Sequence, residues 1–107
     1  MSDFVSVDVA HLSRLSQEFR DSAAALRARI TEFEEQTAST HGAYGETPNA
    51  AEAEREYQAT ARETLARLEK MHGDLLTTAA TLDEQAREYE KTELDAEHHA
   101  DELNRSV

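Results

Sequence analysis

The stretch His41-Gly-Ala-Tyr-Gly-Glu-Thr-Pro-Asn49 decides how this chain folds. It holds two of the three glycines and the single proline. Glycine reaches the positive φ values that a helix exit needs, and proline fits the first turn of a new helix. On both sides of the stretch, apolar residues recur at steps of three and four, the spacing of one helical face. The stretch therefore reads as the bend of an antiparallel helix-turn-helix hairpin, with a shorter arm before it and a longer one after it. The expected layout is a single helical hairpin domain over residues 1–107. It has a helix over about 8–38, the bend at about 39–49, a second helix over about 50–95 and an acidic tail over about 96–107.

Working outward, the first arm carries Val9, Leu12, Leu15, Phe19, Leu26, Ile30 and Phe33 on one face, with Ala23 filling the gap. Asp8 is placed to cap its start, with Ser6 as the alternative, and Phe4, Val5 and Val7 read as a short extended segment. The second arm starts either with Thr47 capping ahead of Pro48, or with Asn49 capping and Glu52 reaching back to it. Its heptad line is Ala61, Leu68, Leu75, Leu82, Tyr89, Ala96 and Leu103. A flanking line adds Leu65, His72, Ala79 and Ala86, while Tyr57 and Met71 complete the seam. Spacing sustained in this way is a coiled-coil signal. Gly73 interrupts it, which reads as a local bend or a close approach of helices. Folding the chain at residues 44–45 with equal rise in both arms sets Phe19 near Met71, Leu26 near Thr64 and Phe33 near Tyr57. The first arm is then exhausted by about residue 81. Phe4 and Val5 are in reach of Leu82 and Ala86, and nothing obvious covers Tyr89 onward. An amphipathic overhang of this kind reads as a docking segment.

Composition narrows the function. Only 38% of the chain is hydrophobic and 6% aromatic, so two helices share a thin seam. A hairpin this lean is expected to pair with a second hairpin in a four-helix bundle, as a homodimer or heterodimer. The candidate partner interface is Leu12, Leu15, Phe19, Leu26, Leu68, Leu75 and Leu82. The net charge of −12 argues against nucleic acid and against anionic membrane surfaces, and it favours a more basic partner over a second copy. No apolar run is long enough to span a bilayer, and no secretory signal opens the chain.

The chain resembles the small helical-hairpin substrates of type VII (ESX) secretion, the WXG-motif superfamily. Val7-Asp8-Val-Ala-His-Leu12-Ser-Arg-Leu15, followed by an alanine-rich amphipathic helix, is similar to the first arm of the family's EspC-like branch. Gly42, Tyr44 and Gly45 form the bend motif, with Tyr44-Gly45 standing where the strict family carries Trp-x-Gly. Tyr89-Glu-Lys-Thr-Glu93 is similar to the carboxy-terminal Tyr-x-x-x-Asp/Glu export signal. The resemblance implies a protein made in the cytoplasm and exported, with Tyr89 and Glu93 read by the secretion ATPase. An alternative reading keeps the chain inside the cell as an adaptor or chaperone for a larger exported toxin or effector, its uncovered stripe holding the client.

No enzymatic constellation stands out: there is no phosphate loop, nucleophile elbow or His-Glu-x-x-His. No cofactor is implied. Glu69-x-x-His72 has the spacing of di-iron bundle ligands but lacks the matching second pair such a site requires. His98 and His99 are adjacent and about 100° apart on a helix, too divergent to share an ion, so no metal site is expected. Cysteine is absent.

Overall fold

The computed structural model describes the backbone of residues 2–40 and 42–106, and the side chains of residues 8–40 and 42–105. Two helices account for nearly all of it, α1 (Ser2–Ser39) and α2 (Pro48–Ser106), with no strand among the described residues. The fold is an all-α helical hairpin.

The bend works much as its residues dictate. The Thr47 hydroxyl accepts from the Ala50 amide at 3.1 Å, and the Thr47 carbonyl accepts from Ala51 at 2.9 Å. Thr47 is thus the N-cap with Pro48 at the first helical position, the first of the two starts read from the sequence. At the other end, hydroxyls of the Thr/Ser run close the last turns of α1. Thr37 donates to the Phe33 carbonyl at 2.8 Å, Ser39 to Gln36 at 2.9 Å and Thr40 to Thr37 at 2.9 Å. The chain then leaves through Gly42 at φ +82° and Gly45 at φ +90°. An alanine Cβ at Gly45 would meet no atom within 4 Å, so only the backbone opposes it. Gly45→Ala is expected to lose about 1–2 kcal/mol.

Gly73 gives the opposite result. It lies inside α2, and a Cβ there also meets nothing within 4 Å, so close helix approach is not what the glycine serves. Gly73→Ala is expected to gain about 1 kcal/mol by restoring helix propensity. A urea titration of the two variants checks both signs, with the midpoint moving and the slope unchanged.

Both helices overrun the lengths read from the sequence. Asp8 is inside α1 and caps nothing, because the helix begins at Ser2. Val5 stands four residues before Val9, so the seam spacing already runs through the supposed extended segment. Extending an existing helix adds a hydrogen bond per residue without a new nucleus, which outweighs the small penalty of β-branched side chains. At the far end the acidic tail stays helical to Ser106. His98 Nε2 lies 3.0 Å from Glu102 Oε1 one turn on, and Arg105 sits in the last turn at the negative end of the helix dipole.

The structure divides into two compact units. The first comprises Asp21–Leu75 and holds the bend. Ala23, Ile30 and Ala61 are buried in its seam, flanked by half-buried Leu26, Phe33, Leu65, Leu68, His72 and Leu75. Arg27 grips Glu69 bidentately at 2.9 and 2.8 Å. The second unit comprises Met1–Arg20 with Leu76–Val107. Among the described residues Ser16, Ala79 and Ala86 are buried in it, beside half-buried Val9, Leu12, Leu15, Phe19 and Leu82.

Register is where the structure departs most from the equal-rise geometry. In the bend unit, Gln58 donates to the Thr37 carbonyl at 3.5 Å, and Phe33 lies beside Ala61 and Leu65 instead of Tyr57. Pairing is centred near the start of α2, not on Tyr44-Gly45. The linker is the cause: it is not helical, and the first turns of α2 run back beside it, with the Gly42 amide donating to the Glu54 carboxylate. Each residue of α1 therefore meets α2 one to two turns further on than equal rise predicts. Met71 is not in the seam but 53% exposed, since it falls one residue off the Leu68-His72-Leu75 line. The expected cover of Leu82 and Ala86 by Phe4 and Val5 falls on side chains outside the described residues.

Candidate functional site

The candidate site lies in the second unit, around Tyr89. The sequence geometry leaves α2 uncovered from Tyr89 onward, and the register shift corrects this. Leu12 of α1 shares a surface groove of about 440 Å³ with Gln85, Glu88, Tyr89 and Thr92. α1 then continues ten residues past Leu12 to Ser2. The Tyr89 ring is nevertheless 46% exposed. Leu75 and Leu82 precede it on the same heptad line and are half-buried. Leu94, off that line, is 60% exposed. Glu93 is one turn beyond Tyr89 and half-buried on the line of Ala79 and Ala86. Of the two residues in the sequence motif, the ring is therefore the more accessible.

Beneath this surface lies a polar node that apolar spacing does not reveal. Ser16 is fully buried. Its hydroxyl has one proton and two acceptors in reach, Asp83 Oδ1 at 2.6 Å and the Ala79 carbonyl at 3.1 Å. It accepts in turn from Arg20 at 2.7 Å, and Arg20 also pairs directly with Asp83. Every polar group of the node is satisfied, which is the condition for burying it. The hydrogen bond from Arg20, then that from Ser16, holds the Asp83 carboxyl below its usual range, and the same pairing raises the Arg20 guanidinium. A serine seven residues before Ala23 and fourteen before Ile30 is the signal that marks this position.

The remaining sequence-predicted residues are spread through the fold. Leu12, Leu15 and Phe19 are half-buried in the second unit with Leu82, and Leu26, Leu68 and Leu75 are half-buried in the bend unit. Each keeps part of its side chain at the surface. In the bend, Tyr44 packs its ring 6.3 Å from that of Tyr57, tilted by 53°, and stays 47% exposed. Gly42 and Gly45 supply the turn around it. Glu69 and His72 are occupied by Arg27, which binds the carboxylate and lies 3.3 Å from His72 Nδ1. The hydrogen bond from Arg27 lowers the Glu69 pKa, and the pairing raises that of Arg27. Among the described residues, no three His, Cys, Asp or Glu side chains converge to hold a metal ion, and no helix is long and apolar enough to cross a membrane.

The site presents one face of a helix with an aromatic ring, an adjoining groove and a dense negative charge. No family model, no curated protein and no solved structure matches the chain.

Proposed function

We propose that the chain is a protein-binding helical hairpin exported by a type VII secretion system, with Tyr89 and Glu93 as the export signal. The observation that carries this reading is the 46% exposed ring of Tyr89, the first exposed residue on a heptad line whose earlier members Ala61, Leu68, Leu75 and Leu82 are buried or half-buried. An amphipathic tyrosine held half out of a helix presents an apolar face and a hydroxyl to a receptor at little entropic cost. The resemblance of Tyr89-Glu-Lys-Thr-Glu93 to the family signal, and the position of both residues on one continuous helix, support the same reading. The secretion ATPase is the proposed reader.

Pairing into a four-helix bundle belongs to the same proposal. The chain exposes 8192 Å², whereas a compact monomer of its 12.0 kDa mass exposes about 6,000 Å². The excess, about 2,200 Å² on one chain, is more than the roughly 800 Å² that a standard interface takes from each partner, so such an interface fits within it. The partially exposed leucines, Leu12 and Leu15 in one unit and Leu26 and Leu68 in the other, are the surface such pairing would cover. A second small hairpin or a larger effector are the proposed partners.

The test is export from a host with an intact type VII system. Tyr89→Ala is expected to abolish appearance of the chain in the culture supernatant, while its level in the cell stays unchanged. Tyr89→Phe keeps the ring and is expected to retain most export. Wild-type export of Tyr89→Ala would end the proposal.

A further inference from the structure

The groove beside Tyr89 has a chemistry of its own. Its floor joins the two helices of the second unit through Leu12 and Tyr89, and among the described residues its lining carries a single charge, Glu88. Among the described residues the Glu88 carboxylate makes no ion pair. Outside the groove the charge is heavily negative. Residues 84–102 contain eight acids, against only Arg87 and Lys91. Two of these acids, Glu88 and Asp95, are exposed and seven residues apart, so they stand on one edge of α2 about 10.5 Å from each other.

We propose that this groove seats a basic amphipathic helix from a different chain, with an aliphatic side chain entering between Leu12 and Tyr89 and a lysine or arginine meeting Glu88. Apolar anchors at helical spacing are how a groove between helices reads a partner helix. Basic residues at seven-residue spacing match the Glu88–Asp95 edge, and charge complementarity selects such a helix over others.

A second copy of this chain is the poorer occupant. Each copy carries a net charge of −12. Of the four arginines in α1, Arg20 and Arg27 already pair with Asp83 and Glu69, which leaves Arg14 and Arg29 to offer. α1 also carries seven acids of its own. The proposal rests on Tyr89 being a docking residue but is independent of export, so binding and secretion can fail separately.

The test uses the full purified chain and a labelled three-heptad peptide with leucine at the a and d positions and lysine elsewhere. Fluorescence anisotropy in about 150 mM salt compares it with a scrambled peptide of identical composition. The ordered peptide is expected to bind at least about tenfold more tightly than the scrambled one. Glu88→Lys and Thr92→Lys are each expected to weaken it by about tenfold or more, and Glu90→Lys by less than about threefold. Glu90 is the decisive control, because the charge change is identical but lies about 200° around α2. Circular dichroism of each variant confirms that the helices persist. Equal weakening by Glu90→Lys and Glu88→Lys, or equal binding of the scrambled peptide, would overturn the proposal. So would a sedimenting dimer that the ordered peptide does not disperse, since the groove would then belong to a second copy.

Discussion

Replacing Ile30 with alanine is expected to cost about 2–5 kcal/mol, a large share of the stability of so lean a hairpin. Ile30 is 0% exposed and is the largest fully buried side chain of the described residues. The other residues at that depth are small: Ser16, Ala23 and Ala79. Small residues let helix backbones approach, but each hides little apolar area, and transfer free energy follows area. The seam of the bend unit therefore leans on one branched side chain, where an ordinary core spreads the load over many. Leu94→Ala deletes an aliphatic side chain of the same size, but Leu94 is 60% exposed. Its cost is expected to stay within about 0.5 kcal/mol. Urea unfolding followed by far-ultraviolet circular dichroism at two protein concentrations checks the contrast and separates folding from association. Equal shifts for the two variants would mean that the seam is not what holds the hairpin together.

Much of this was legible in the sequence, and the failures have physical causes. The helices follow from apolar steps of three and four, and the bend from Gly42, Gly45 and Pro48, because these are local properties of backbone and side chain. Thr47 capping before Pro48 is likewise local, and it holds at 3.1 Å. Register is not local. It depends on the path of a non-helical linker, and the bond from Gly42 to Glu54 shows α2 starting back beside that linker. Met71 is apolar and lies beside the seam in sequence, but Leu68, His72 and Leu75 already define the buried line. Ser16 was missed for the converse reason. Its heptad position was visible, but a hydroxyl there makes sense only once Arg20 and Asp83, 63 residues apart in sequence, are known to meet. The groove at Tyr89 depended on the same register, which brings Leu12 to α2 at that level.

Acidification is expected first to firm the hairpin and then to unfold it. At pH 7 the chain carries −12, and protons taken up as the pH falls toward 5 bring that net charge closer to zero. Self-repulsion eases over this range, and stability rises with it. Added salt at about 0.5 M screens the same repulsion and is expected to flatten the rise. Below this window the ion pairs decide. Arg20 and Ser16 hold Asp83 below its ordinary value of 3.8, and Arg27 holds Glu69 below its ordinary value of 4.5. A carboxyl with a depressed folded pKa contributes stability at pH values above its unfolded pKa. It loses that contribution as the pH falls through the folded value. The loss therefore sets in below about pH 4. Arg20 and Arg27 stay charged throughout, so they add no pH dependence here but become unpaired cations as their partners protonate. Eleven lysines and arginines and five histidines then repel one another with few anions left to oppose them. Asp83→Asn separates the local part from the global one. It is expected to be less stable than the wild type at pH 7, and the difference should shrink as the pH falls through the lowered folded pKa of Asp83, where the carboxylate itself becomes neutral. Thermal melts from pH 7 to pH 2 would show both phases. A steady decline from pH 7 to 5 would refute the repulsion argument, and a constant gap between wild type and Asp83→Asn down to pH 2 would refute the role given to the carboxylate.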